Sequence, residues 1–306
     1  MSPTTKLVMV GKPEVGKTTI KKVMFEGADP NELIITPLEA TIGYKYSFHD
    51  FMDSKIALVD SPGQSLPSLL KDEERQLLTF ENATVIIYVF DYPTWIEDSE
   101  DILDDIRSIY EIIKKHNFTA EIVLFLHKID LLITKKIGSK LDIIKGQINR
   151  LLKLPKEFPI YFTSLHPNLI YNTYNALSNI FGNFSENIIK LKENINKIVN
   201  EVSKTICFVI NQEGNLLLQE MSYDFDNSIL FYLYEKIYKL NKLSEEEILN
   251  CRIVDSGTKI LQMISENISR LNSNYKYIMF ISEILGQSEL KSLIEKVKEG
   301  YNQQNN

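Results

Sequence analysis

The sequence predicts an α/β domain built on a mostly parallel six-stranded sheet, followed by a smaller α+β domain. Three observations predict this. Short apolar strands alternate with amphipathic helical stretches through the first 165 or so residues, as in a doubly wound sheet. The strands read as continuous apolar runs rather than alternating ones, the pattern of strands covered by helices on both faces. After about residue 183 the order changes to helix, hairpin, helix, further strands and helix. The expected division is therefore 1–184 and 185–306.

The strands of the first domain are expected at Leu7–Val10, Ile42–Phe48, Ile56–Val59, Val85–Phe90, Ile122–Leu126 and Pro159–Phe162. Each is rich in Val, Ile, Leu, Phe or Tyr, which suit a pleated, packed surface. Helices are expected near Thr18–Phe25, Leu69–Thr79, Glu100–His116, Lys140–Leu152 and Asn168–Phe181. In the second domain Ile188–Val202 carries an apolar stripe at helical spacing, read as a docking face inside the domain because it lacks the strongly basic polar face of a membrane-surface helix. Thr205–Ile210 and Leu216–Met221 flank Asn211-Gln212-Glu213-Gly214, a hairpin signal. A helix near Asn227–Leu240, strands near Cys251–Val254, Lys259–Glu266 and Tyr275–Ile281, and a last helix near Ser288–Tyr301 complete it.

Composition narrows the function. The 306 residues carry 34 basic and 41 acidic side chains, a net charge of −7, which argues against a protein that coats nucleic acid. It leaves room for a small phosphate ligand, which needs only a local nest of N–H groups and one lysine. Two cysteines, Cys207 and Cys251, are too few for a disulfide framework or a cysteine zinc site and read as reduced thiols of a cytoplasmic protein. The apolar run Leu7–Val10 is too short for a signal peptide or membrane span, Ser2 stands where N-myristoylation needs glycine, and Tyr301–Asn306 offers no cysteine to prenylate. Any membrane contact is expected to come through a partner.

The chemistry concentrates in motifs at strand ends. Gly11-Lys12-Pro13-Glu14-Val15-Gly16-Lys17-Thr18 is G-x-x-x-x-G-K-T between an expected strand and an expected helix. Such a loop wraps phosphates in backbone N–H groups. Lys17 is the candidate for the outer phosphates and Thr18 for Mg²⁺; Gly11, Glu14, Val15, Gly16 and Thr19 complete the candidate phosphate-binding set. The strand Ile56–Val59 runs into Asp60-Ser61-Pro62-Gly63-Gln64. Asp60 can hold Mg²⁺ through water, Gly63 can bring its N–H to a terminal phosphate, and Gln64 can orient an attacking water. Leu126-His127-Lys128-Ile129-Asp130 lies at a further strand end. The two oxygens of Asp130 can accept the ring N–H and exocyclic amino group that guanine presents together, and the Lys128 stem can lie along the base; the tetrapeptide in isolation reads more readily as a solvated turn. Thr163-Ser164-Leu165 can close the base pocket. Thr41, with Thr36 as the competing position, is the candidate switch residue contacting Mg²⁺ and the γ-phosphate.

In this order and spacing the motifs resemble those of the Ras-like GTPase superfamily, and more closely the Rag/Gtr GTPases. Three features carry the closer resemblance: His127 at the head of the base box, where most Ras relatives have asparagine; Leu38-Glu39-Ala40-Thr41-Ile42, similar to the Leu-Gly-Ala-Thr-Ile run of one Rag branch; and Val85–Asp91. The resemblance is specific over the first 180 or so residues and implies a P-loop GTPase domain that binds GTP/GDP with Mg²⁺ and switches its partner surface. Over the remainder it rests on element order and implies a roadblock/longin-like dimerisation domain beyond about residue 185, a homo- or heterodimer with another Rag-like GTPase, exchange and activating proteins, and a nutrient-sensing or membrane-scaffold role. Pro13 and Glu14 depart from the branch with the similar switch run, which carries small residues there, and Pro62 resembles the other branch. The departures keep open a dimeric scaffold that holds a structural guanine nucleotide with little hydrolysis. An Arf-like trafficking GTPase shares the fold but is disfavoured by Ser2 and the appended domain. The charge run Lys71–Arg75 reads as a solvated helix face, with Arg75 as an arginine finger a minor alternative.

Overall fold

A computed structural model describes residues 4–35, 43–51, 54–132, 137–182, 185–256 and 259–305. The chain divides into two compact units, Met1–His166 and Pro167–Asn306.

In the first unit β1 (Thr4–Val10), β2 (Lys45–Phe51), β3 (Ser54–Asp60), β4 (Val85–Asp91), β5 (Glu121–His127) and β6 (Ile160–Phe162) form one six-stranded sheet. Its order is β2-β3-β1-β4-β5-β6. Every neighbouring pair is parallel except β2 and β3, a hairpin in register from Lys45↔Asp60 to Phe51↔Ser54. The interior strands are covered on both faces: Leu7–Val10 have no exposed surface, and all of β4 is buried. Edge strand β2 differs, leaving Tyr46 and Phe48 exposed. The helices are α1 (Lys17–Glu26), α2 (Pro30–Ile35), α3 (Leu66–Lys71), α4 (Glu73–Phe80), α5 (Tyr92–Lys115) and α6 (Ile137–Leu152). Because β1, β3, β4, β5 and β6 run the same way, the loops that leave their C-terminal ends gather along one sheet edge, where open α/β sheets bind ligands.

Two local differences from the sequence expectation have physical causes. The stretch expected as one helix, Leu69–Thr79, is split between α3 and α4, because Asp72 is extended (φ −100°, ψ 115°) and its carboxylate accepts the Arg75 N–H at 3.1 Å. Helix α5 begins eight residues before the expected Glu100, since Asp91 caps it through Thr94 and proline stands in its first turn. Strand β2 lies three residues later than expected; Ile42 is outside the described residues.

The second unit holds α7 (Ile170–Phe181), α8 (Glu186–Asn200), β7 (Thr205–Asn211), β8 (Leu216–Met221), α9 (Leu230–Leu240), α10 (Glu245–Asn250), β9 (Ile253–Asp255), β10 (Ile260–Asn267), β11 (Tyr275–Ser282) and α11 (Gln287–Asn305). Its sheet is antiparallel in the order β8-β7-β11-β10-β9. The expected β7–β8 hairpin is present, with Gly214 at φ +81° in its turn. The α8 stripe of Ile188, Leu191, Ile195, Ile198 and Val199 is buried in this unit, where α8 packs against α11 and β8. Helix α7 also belongs here. The Tyr171 hydroxyl donates to Gly214 O at 2.6 Å, Ser178 Oγ donates to Leu217 O, and the helix packs on β8 and α9. Six-residue α10 was not expected; it is too short for periodicity, but a capping box of Ser244 and Glu247 holds it. Cys207 is fully buried on β7 and Cys251 is half-buried after α10. Among the described residues no helix is long and apolar enough to cross a membrane.

Candidate functional site

The site is built from the loops at the C-terminal ends of β1, β3, β4, β5 and β6. The loop after β1 passes from Gly11 to Gly16, which caps α1 in the left-handed region at φ +98°. There Gly16 meets the end of β5, where the turn that follows it begins. A Cβ on it would lie 2.7 Å from His127 Cδ2, so two motifs more than a hundred residues apart touch where no other side chain fits. Glu14 is exposed and also has positive φ, +62°, a strained setting for a non-glycine residue. Val15 is buried.

Lys17 opens α1 and points back over the loop, with Nζ donating to Gly11 O at 2.9 Å and Lys12 O at 2.6 Å. Burial lowers its pKa to about 8, against an opposing pull from Asp60. Among the described residues its hydrogen-bond partners are these two carbonyls, and a buried ammonium so held can take an anion. Thr18 Oγ1 donates to Asp60 Oδ2 at 3.0 Å, while the other carboxylate oxygen, Oδ1, is buried with no hydrogen-bond partner among the described residues. Burial pushes the Asp60 carboxyl above its usual range, which the Thr18 hydrogen bond and Lys17 partly offset. An orphaned carboxylate oxygen beside a hydroxyl is a hard-oxygen donor set, and it fits Mg²⁺, which takes few protein ligands and completes its shell with phosphate and water.

After β3, Ser61 Oγ donates to Met9 O at 2.9 Å and ties this loop to β1. Gly63 lies directly against the phosphate loop; its Cβ would fall within 2.6 Å of Pro13 Cα. Gln64 follows, exposed, in a short 3-10 turn over Gly63–Ser65. Thr41 and Thr36, the competing switch positions, lie outside the described residues. Arg75 is engaged locally, donating to Ser68 Oγ at 2.7 Å, and the Lys71–Arg75 run is exposed as expected.

The third motif folds back on itself and on the phosphate loop. His127 is buried, its Nδ1 2.9 Å from Thr163 Oγ1, and burial lowers its pKa to about 4, so the ring is neutral at physiological pH. Lys128, at φ +56°, bonds Glu14 O at 2.7 Å and Asp91 Oδ2 at 2.8 Å. Ser164 Oγ donates to Asp130 Oδ1 at 2.5 Å and accepts from His166 N at 3.0 Å, which fixes the orientation of the carboxylate.

One open pocket is lined by six of the expected residues, Gly16, Thr19, His127, Lys128, Asp130 and Leu165. Pro30 and Leu33 of α2, together with His166, also line it. None of those three sits in a recognisable motif, so spacing offered no signal for them. Asp91 was likewise not expected to act here, although an acid followed by Tyr92-Pro93 is a readable helix-start signal.

A family model described as the Gtr1/RagA G protein conserved region matches residues 6–240. No curated protein matches. Among solved structures, this chain is similar to a bacterial selenocysteine-specific elongation factor, EF-Sec, at 17% identity and a TM-score of 0.41. The likeness covers 67% of this chain and 31% of that one.

Proposed function

We propose a function from one premise: this chain belongs to the Gtr1/RagA G protein family. It is a switch that binds GTP and GDP with Mg²⁺, hydrolyses GTP slowly, and presents a different partner surface in each nucleotide state. The observation that carries this reading is the direct bond between phosphate loop and base turn, Lys128 Nζ to Glu14 O at 2.7 Å, beside the pocket that Asp130 lines. A group with phosphates at one end and a planar base at the other spans those two motifs.

Each residue then has a task. Lys17 exchanges its carbonyl partners for outer-phosphate oxygens. The N–H groups from Val15 through Thr19 face the phosphates at the start of α1. Asp130 accepts the two guanine N–H groups, while Ser164 occupies one lone pair of Oδ1 and holds the carboxylate still. Thr18 and Asp60 would hold Mg²⁺, with Thr41 the candidate to join them when a triphosphate is bound, and the ion would supply positive charge to the phosphate oxygens. Gln64 orients the attacking water, and Gly63 offers its N–H to the γ-phosphate. Residues 185–306 of the second unit, with their helix–hairpin–helix–strands–helix order, serve as a roadblock/longin-like dimerisation domain, pairing with another GTPase of this kind. The protein works in the cytoplasm and reaches membranes through partners.

Single-turnover hydrolysis of Mg²⁺-GTP is the test, with ADP as competitor for the bound nucleotide. Turnover on the order of 10⁻⁴ to 10⁻² s⁻¹ is expected, falling at least tenfold in Gln64→Leu, with ADP failing to displace GTP. Tight binding without turnover in either protein would replace the switch by a nucleotide-held scaffold, a reading that Pro13 packed under Gly63 and strained Glu14 favour. Light scattering checks the dimer: a monomeric mass at micromolar concentration overturns self-pairing and points to a different partner chain.

A further inference from the structure

Asp91 ends β4 as a buried carboxylate, 5% exposed. The parallel register Asp91↔His127 sets it beside the base-recognition turn. Its two oxygens divide their work. Oδ1 accepts the backbone N–H of Thr94 at 3.0 Å and the Thr94 hydroxyl at 2.6 Å, capping α5. Oδ2 meets Lys128 Nζ at 2.8 Å, the same ammonium that reaches Glu14 O at 2.7 Å.

We infer that Asp91 is a positioning residue for nucleotide retention, acting through Lys128 rather than by touching the nucleotide. The inference rests on the guanine-nucleotide reading above and adds a residue to it. Lys128 carries its side chain from a backbone at φ +56°, and a flexible four-carbon stem loses much rotamer freedom when it is ordered. Two fixed acceptors, a buried carboxylate and a loop carbonyl, order it before the base arrives, so binding does not have to. Burial raises the Asp91 pKa, but the hydrogen bonds from Lys128 and Thr94 outweigh it and hold the carboxyl below its usual range. The charge that orders Lys128 is therefore present throughout the neutral range. By the same contacts, the start of α5, the phosphate loop and the base turn share one anchor.

The test is the dissociation rate of a fluorescent GDP analogue from the full chain. Asp91→Asn and Asp91→Ser both keep an acceptor suited to the helix cap and both remove the charge. Each is expected to speed dissociation about tenfold, as is Lys128→Met. Asp91→Asn added to Lys128→Met should change the rate less than twofold, because the residue it acts through is gone. Thr94→Ala, which weakens the cap and leaves the ion pair, should also stay within twofold. Dissociation unchanged in both Asp91 variants, or effects that multiply in the double variant, would overturn the inference. Failure of the unaltered protein to bind the analogue at all would instead bring down the guanine reading and this inference with it.

Discussion

Gly16→Ala is expected to destabilise the first unit by about 2–5 kcal/mol and to empty the nucleotide site. Two costs combine. An alanine held at φ +98° is strained by about 1–2 kcal/mol. Its methyl would also press on His127, 2.7 Å from Cδ2, and overpacking of this kind costs about 1–3 kcal/mol. The ring cannot retreat cheaply, since it is buried and its Nδ1 is engaged by Thr163 Oγ1. For a unit of this size each kcal/mol moves Tm by about 2–4 °C, so a drop of roughly 4–20 °C is expected in a thermal melt. Adding His127→Ala to the variant should restore part of the loss, because it removes the clash and leaves the backbone strain. A melting temperature within 2 °C of the unaltered protein would show that the loop and the base turn are not in contact at Gly16.

Lys17→Ala should lower nucleotide affinity by about 10²–10³-fold, the scale of two charge-assisted hydrogen bonds at about 1.5–3 kcal/mol each, discounted for water that replaces the ammonium. The pH dependence gives a second, independent reading. Burial lowers the Lys17 pKa from 10.5 to about 8. An anionic ligand requires the protonated form, so above about pH 8 binding must take up a proton, and affinity should weaken toward tenfold per pH unit. Stability of the nucleotide-free protein runs the other way. Between about pH 8 and 10.5 the unfolded chain holds more protons at this position than the folded one, so stability rises with pH across that window. Below about pH 8 the full cost of burying the charge is present. Calorimetric titrations at pH 7, 8 and 9 check the affinity slope, which Lys17→Ala should abolish. A flat profile in the unaltered protein would show that Lys17 does not meet the phosphates.

What could be read from the residues follows from sheet geometry. Lys17, Thr18, Asp60, Gly63, His127 and Asp130 all sit at or just past the ends of parallel strands, and parallel strands bring their ends to one edge whatever the intervening loops do. Short motifs at strand ends are therefore legible even when eighty residues separate them. Asp91 was not legible as part of the site, because its tie to Lys128 depends on the β4–β5 register, which no local pattern reveals. Pro30, Leu33 and His166 enter the pocket through loop paths that spacing does not determine. Helix ends were hardest where a side-chain cap outweighed periodicity, as at Asp91 and Asp72. Helix α7 shows a related difficulty: its apolar positions announce burial but not the partner. Its tyrosine and serine hydroxyls on Gly214 and Leu217 join it to the second unit.

The unequal settings of the two cysteines make the protein selectively addressable. Cys207 is sealed inside the second unit's sheet, and burial pushes its thiol far above the usual range, with the Glu220 carboxylate adding to it. Thiolate supply and access, the two requirements of alkylation, both fail there. Cys251 is half-buried and lies next to the short edge strand β9. A maleimide dye applied to the folded chain therefore enters at one place, and stoichiometric labelling at Cys251 supplies a fluorescent reporter on the second unit without any engineered residue.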